Sequence, residues 1–551
     1  MTKSTFITHN LGFPRMGANI ELKKAVEGFW KGELTVDALL QETQRLRLAH
    51  WKLQSELAVD LIPSNDFSLY DQVLDHSFAF GAVPKRFQAI ITDETSGAWD
   101  LRTYFAMAHG LQDAAAGIDV AGLEMKKWFD TNYHYMVPEF HEEQEFKLAA
   151  NGSKALSEFE EARDVLGLIT KPVLIGPVSF LLLGKAATGS SQSFQPISLL
   201  SKLLPVYAEL VGKLVKAGAE TIQFDEPFLA AESGLAARLI PEAYAFLRQA
   251  ASPNTFFLLA TYFDSVRSDL FRVEQVLAET PIDAIHLDAV RAAKDVEDTG
   301  FLEAIRRKGI YLSLGLIDGR NIWKTNLSHA SELAQKAISV LGKDKVLLAP
   351  SCSLLHVPFS LEAEKDGSIP KEILNWMSFA KEKLGELAQL QTVLFAQDEG
   401  GAVAILQDNY ESFVKEIETS PLIHDAAVKA RIDALEPEDL TARKTPFSER
   451  SRLQKAAIAG LPSYLPTTTI GSFPQTKEVR LKRSAHLKGN LSSEDYEAFL
   501  LQETRRCIEM QERIGLDVLV HGEFERTDMV EFFGQKLNGY VFSRNGWVQS
   551  T

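Results

Sequence analysis

Ser472 and Glu523 stand out in this 551-residue chain as side chains that could hold a small charged molecule. Ser472 closes the run Pro466-Thr467-Thr468-Thr469-Ile470-Gly471-Ser472-Phe473-Pro474. Apolar and β-branched residues leading into Gly-Ser predict a buried strand that ends in a turn open to a ligand. Such a turn offers a backbone N–H and a hydroxyl to a carboxylate, and Glu523 offers a countercharge to an ammonium. Other residue types invite other chemistry. Asp225-Glu226, ahead of Pro227, could be the acid/base pair of a barrel glycosidase, with Asp288 a further candidate. Neighbours on one strand point to opposite faces, however, so the two are not expected to flank one bond. Cys352 and Cys507 are the chain's two cysteines. A cysteine without partner ligands makes no zinc site, so Cys352 is expected in the core and Cys507 on a helix. His134 is expected to be packed and hydrogen-bonded.

The elements that must position these groups contain an echo. The segment Val59-Asp60-Leu61-Ile62-Pro63-Ser64-Asn65-Asp66-Phe67 and the residues after it align without gaps on Leu516-Asp517-Val518-Leu519-Val520-His521-Gly522-Glu523-Phe524. Asp60 matches Asp517, Asp66 matches Glu523, Asp71 matches Asp528 and Val73 matches Val530. Near the other end, Thr8-His9-Asn10-Leu11-Gly12-Phe13-Pro14 runs into a turn much as residues 466–474 do. Two strand-turn units recurring in the same order predict a duplicated domain, the second copy barely begun at Thr551.

Between the echoes, short apolar runs alternate with amphipathic helices. Helices are predicted over residues 19–30, 35–57 and 370–397, the last with Pro370 in its first turn. Nine strand candidates begin near residues 11, 61, 132, 172, 221, 256, 284, 311 and 346. Nearly continuous apolar strands are buried on both faces, as in a parallel sheet covered by helices. A (β/α)₈ barrel would place the polar clusters at their C-terminal ends, and one candidate is then an accessory hairpin. An open doubly wound sheet is the alternative, weakened because no dinucleotide-type Gly-rich turn follows the first strand. Residues 1–395 are thus expected to form a complete barrel, 396–465 a linker that packs, and 466–551 the first strands of an incomplete second barrel.

Composition narrows the partners. Lys and Arg number 58 against 74 Asp and Glu, a net charge of −16, which disfavours nucleic acid and anionic membranes. Two cysteines make no disulfide framework, and no apolar run has the length of a signal peptide or membrane span. A cytosolic monomer acting on small molecules is expected.

Several motifs together resemble the cobalamin-independent methionine synthase family: Leu11-Gly12-Phe13-Pro14-Arg15, Glu21-Leu22-Lys23-Lys24-Ala25, Trp128-Phe129-Asp130-Thr131-Asn132-Tyr133-His134-Tyr135, residues 467–474 and Val520-His521-Gly522-Glu523. The resemblance implies two (β/α)₈ barrels in one chain and methyl transfer from 5-methyltetrahydropteroyltriglutamate to homocysteine, without cobalamin. It implies that Ile470, Gly471, Ser472 and Glu523 bind homocysteine. It implies that Ile20, Glu21, Leu22, Lys23 and Lys127 bind the folate and its polyglutamate tail. Ile20 departs from the basic residue frequent there in the family. The resemblance also implies a zinc held by His, two Cys and Glu in the C-terminal barrel, which activates the homocysteine thiol. Those ligands are expected downstream of Thr551, so this chain is expected to end early in that barrel, to lack catalytic and metal-binding residues, and to be inactive alone. A non-catalytic folate-binding or docking barrel is the alternative.

Overall fold

The computed structural model of the chain describes residues 8–91, 100–149, 154–231, 234–266, 273–365, 367–396, 399–441, 443–458, 460–462, 464–543, 546 and 548. It divides into two compact units, Met1–Ile417 with Phe542–Thr551, and Glu418–Val541. Among the described residues no helix is long and apolar enough to cross a membrane.

The first unit is built on seven parallel strands, in the order Pro63–Ser64, Lys171–Ile175, Thr221–Asp225, Phe256–Ala260, Ala284–Asp288, Tyr311–Ile317 and Val346–Pro350. Residues 8–10 run parallel to both edge strands, Thr8 bridging Leu348 and His9 bridging Leu61. The His9 N–H donates to the Leu348 carbonyl (2.9 Å), and the Leu61 N–H donates to the Thr8 carbonyl (3.1 Å). One segment can meet both edges only if the sheet curls round on itself. Strands such as Thr221–Asp225 and Ala284–Asp288 are buried along their whole length, as continuous apolar runs require when helices cover the sheet. The covering helices show the matching spacing: Leu200–Ala217 buries Leu203, Tyr207, Leu210 and Leu214.

Of the nine candidates for the sheet, seven supply its strands, and the one from residue 11 does not, the isolated bridges lying before it at Thr8 and His9. Of the run from residue 132, only His134–Met136 is strand, and it pairs antiparallel with Met125–Lys127 as a hairpin outside the main sheet. The expected single helix over 370–397 is instead two, Lys371–Trp376 and Ala380–Phe395, and residue 397 lies outside the described residues. Pro370 precedes the first helix rather than opening it. The break has a cause in backbone pairing. Met377 bridges Trp323 antiparallel, and the Ser378 N–H donates to the Ile322 carbonyl at 2.7 Å. The second helix then restarts with the Glu382 carboxylate accepting from the Phe379 N–H (3.3 Å).

The first unit extends past residue 396, as far as Ile417. On helix Glu399–Asn409, Asn409 accepts from the Leu327 N–H and donates to the Thr325 carbonyl, both at 3.0 Å.

The second unit has its described core in Val479, Cys507 and Phe524, with Phe473, Phe499 and Leu500 packed against it. The expectation that residues 466–474 form a buried strand fails. Ile470 is fully exposed, at 103%, and the pairing is confined to one bridge, Ser472 to Gly522, and the Val518 N–H donating to the Thr467 carbonyl (3.0 Å). Among the described residues only one neighbouring segment pairs with this run.

Candidate functional site

Gly471, Ser472 and Glu523 come together through backbone pairing. The bridge from Ser472 to Gly522 runs parallel, and the Phe473 N–H donates to the Gly522 carbonyl (2.9 Å). Gly471 has φ +137°, and a Cβ there would lie 2.9 Å from Glu523 Oε1. Glycine is therefore needed twice over, for its backbone and for the carboxylate's approach. Glu523 is itself left-handed, at φ +57°. Its carboxylate pairs with Arg526. Arg483 donates to the Phe524 carbonyl (2.6 Å) and to Gln475 Oε1 (2.9 Å), holding the turn from behind. Arg526 and Arg483 were not singled out in the sequence. The available signal was a basic residue three positions after Glu523. Ile470, by contrast, presents its side chain to solvent.

The first unit holds the same lattice. Asp60 accepts from the Thr8 N–H (2.9 Å) and hydroxyl (3.2 Å), and Asp517 accepts from the Thr467 N–H and hydroxyl, both at 2.7 Å. The Leu61 N–H to Thr8 carbonyl bond has its counterpart in Val518 to Thr467. Asp71 caps helix Gln72–Ala79, and Asp528 caps helix Met529–Lys536. Asp66, the match of Glu523, accepts from the Phe13 N–H (2.8 Å). Half-buried, it is pushed up to about 7 by desolvation.

The folate-tail candidates stand on one apolar cluster. Ile20, left-handed at φ +55°, precedes helix Glu21–Trp30. Glu21 folds back to accept from the Asn19 N–H (2.9 Å). Leu22 is fully buried and shares its cluster with Met136 of the hairpin. Lys23 is half-buried and lies 3.9 Å from Glu27. Lys127 is exposed at the end of its strand, paired with His134.

Asp225 and Glu226 point to different surroundings, as their adjacency requires. Asp225 accepts from Gln223 (2.6 Å) and from the Tyr262 hydroxyl (3.1 Å). Glu226 accepts from the Ser179 N–H (2.8 Å) and the Tyr244 hydroxyl (3.2 Å). Burial pushes Asp225 up to about 6 and Glu226 up to about 7. Asp288 spends its oxygens on the N–H groups of Val290, Arg291 and Phe263. These are satisfied structural carboxylates rather than a pair across a bond. Cys352 is buried and its thiol raised well above the ordinary range by desolvation. Cys507 is buried in the second unit beside Gln511. Among the described residues no group of three His, Cys, Asp or Glu could hold a metal ion.

The polar interior of the first unit was missed. Lys171, fully buried, donates to the Asn10 carbonyl (3.0 Å) and to Gln223, and lies 3.2 Å from His9 Nδ1. Burial lowers it to about 7. Nothing in the local sequence marks a strand lysine as interior.

Comparison with known proteins gives a consistent answer. A family profile described as the N-terminal domain of cobalamin-independent synthase matches residues 7–342, and one described as its catalytic domain matches residues 465–551. A 5-methyltetrahydropteroyltriglutamate–homocysteine methyltransferase of Cytophaga hutchinsonii is 47% identical over 546 residues, covering 99% of this chain and 68% of the relative. The enzyme of that name in Xylella fastidiosa is 48% identical over 545 residues, with the same coverage. The chain spans about two thirds of the length of these relatives, 68%, and the catalytic-domain match covers residues 465–551. Among solved structures, a putative vitamin-B12-independent methionine synthase of Listeria monocytogenes aligns with a TM-score of 0.44 at 12% identity, covering 71% of this chain and 98% of that one. That likeness is too weak to add to the sequence match.

Proposed function

The chain belongs to the cobalamin-independent methionine synthase family, a family of methyltransferases, and we propose that it serves the transfer of the methyl group of 5-methyltetrahydropteroyltri-L-glutamate to L-homocysteine, giving L-methionine. The observation that carries this reading is the apposition of Glu523 with Gly471 and Ser472. In it, residues 470–472 receive the homocysteine carboxylate and Glu523 its ammonium. Arg526 neutralises Glu523 in the absence of substrate, so an incoming ammonium shares or displaces that pairing. Titration calorimetry of the 551-residue chain with L-methionine tests the assignment. Ser472→Ala and Glu523→Gln each weaken binding by about tenfold or more, the loss of one hydrogen bond to a charged group. Unchanged affinity in both variants would remove the assignment.

In the same reading, Ile20, Glu21, Leu22, Lys23 and Lys127 receive the folate polyglutamate. Leu22 can contribute only backbone, since its side chain is buried. Lys23 and Lys127 supply point charges on flexible stems, suited to a mobile polycarboxylate. Lys23→Ala and Lys127→Ala therefore weaken the triglutamate more than the monoglutamate. Equal losses for the two ligands would reject a tail role.

We read the first unit as an eight-stranded (β/α)₈ barrel with residues 8–10 as its first strand, and residues 466 onward as a second copy of its opening. The bonds around Thr8 and Asp60, repeated around Thr467 and Asp517, support this. The described residues do not fit the zinc site of the family. No metal-binding group converges among them, and Cys352 and Cys507 lie in different units. That donor set favours a second reading for the 551 residues themselves, a folate-binding or docking role without turnover. Metal analysis with a methyl-transfer assay on the purified chain separates the two. One zinc per chain with turnover would overturn the second reading.

A further inference from the structure

A small cavity of about 20 Å³ opens at the C-terminal ends of the strands of the first unit, lined in part by Arg15, Asp66, Ser68, Tyr133, Asp225 and His356. Arg15 is 2% exposed and Ser68 is fully buried. Arg15 spends two of its nitrogens inside the protein, Nη1 on the Tyr133 hydroxyl (3.2 Å) and Nη2 on the Tyr70 carbonyl. Its Nε has no partner, and neither has the Ser68 hydroxyl. Two donors are thus buried and unspent on the wall of one cavity.

The charge makes the case stronger. A guanidinium stays protonated in a protein, and among the described residues no ion pair to Arg15 is formed. A buried, unpaired cation is strongly unfavourable unless something compensates it. Asp66 and Asp225 share the wall, but their oxygens already accept from Phe13, Gln223 and Tyr262. Burial raises both toward the neutral form. A single water could satisfy the two free donors and would leave the charge with no counterion, only the Tyr133 ring 5.7 Å from the guanidinium carbon. A carboxylate answers both, and a cavity of this size admits little more than its head group.

We propose that this cavity is a carboxylate-binding site in which Arg15 Nε and the Ser68 hydroxyl hold the two oxygens. The carboxylate could belong to a free small monocarboxylate or to a glutamate of the folate tail. Trp128, which follows Lys127, also lines the cavity, and Arg15 shortly precedes Ile20. The site stands on its own geometry. Only the second source rests on the folate reading above.

The test uses the 551-residue chain and its Ser68→Ala variant. Each is titrated with sodium formate, sodium acetate, sodium chloride as control, and the triglutamate of methyltetrahydrofolate. Ser68→Ala removes a hydroxyl that has no partner, so the variant melts no lower than the parent. A variant that unfolds would show the hydroxyl to be engaged and overturn the proposal. Formate or acetate binding with one-to-one stoichiometry, weakened about tenfold or more in Ser68→Ala, assigns a free carboxylate. If only the triglutamate binds in a Ser68-dependent way, the tail is the source. Binding that is absent for every probe, or equal in parent and variant, overturns the site and leaves an internal water pocket.

Discussion

Asp66 sets a charge where the surroundings favour none. Burial pushes its carboxyl up to about 7, against the downward pull of the Phe13 N–H. In the unfolded chain the same group titrates near the ordinary value of about 4. Between those values the folded state keeps a proton that the unfolded state gives up. Stability from this group is therefore full at low pH and lost as pH rises to about 7. Asp66→Asn keeps the oxygen that accepts from Phe13 and abolishes the titration. Its melting temperature should fall less than that of the parent over this pH range, and parallel curves for the two proteins would refute the assignment. Asp71, also raised to about 7 by burial, keeps the parent's slope from vanishing in the variant. The echo with Glu523 made Asp66 visible in the sequence, but its chemistry was not. Gly471, Ser472 and Glu523 were legible because a turn announces itself in local residue types. Arg15, Ser68 and Lys171 were not, because their burial is decided by strands distant in the chain.

A single side chain substitutes for missing backbone partners in the second unit. Gln511, on helix Ser493–Ile514, donates to the Val520 carbonyl (2.7 Å) and accepts from the Val520 N–H (3.0 Å). It thereby supplies both bonds that a neighbouring strand would otherwise give. Gln54 occupies the matching place on helix Val36–Glu56 and accepts from Asn10 Nδ2 (2.9 Å). Gln511→Ala leaves both Val520 groups without their partner at a half-buried site, at a cost of about 1–3 kcal/mol. Urea unfolding of the second unit, followed by its own amides, should move accordingly, with the first unit unchanged. An unaltered midpoint would mean that solvent already satisfies Val520. Helix and strand positions were read well where apolar periodicity ruled, as in residues 36–56 and 221–225. The break at Met377 was hidden. An apolar spacing continues through it, and the cause is pairing with residues 322–324, which no local pattern records.

The two units differ in how much apolar surface they remove from water, and that difference should appear as unequal protection. In the first unit one continuous cluster joins the strands, the helices outside them and the hairpin near Trp128. In the second, the described core is Val479, Cys507 and Phe524. Large apolar side chains there remain in solvent, among them Leu487 at 79% and Val530 at 72% exposed. Burial of apolar area is the main term opposing chain entropy, so a unit with so few buried partners opens at lower free energy. Local opening is then the route by which protease and deuterium enter. Amides of Thr221–Asp225 and Ala284–Asp288 should exchange far more slowly than those of helix Ser493–Ile514, although both sets are hydrogen-bonded. Limited proteolysis should cut first within residues 418–541 and leave a stable fragment containing the parallel sheet. Comparable protection in strands and helix, or a first cut inside the sheet, would show that the second unit gains stability from something other than its own core.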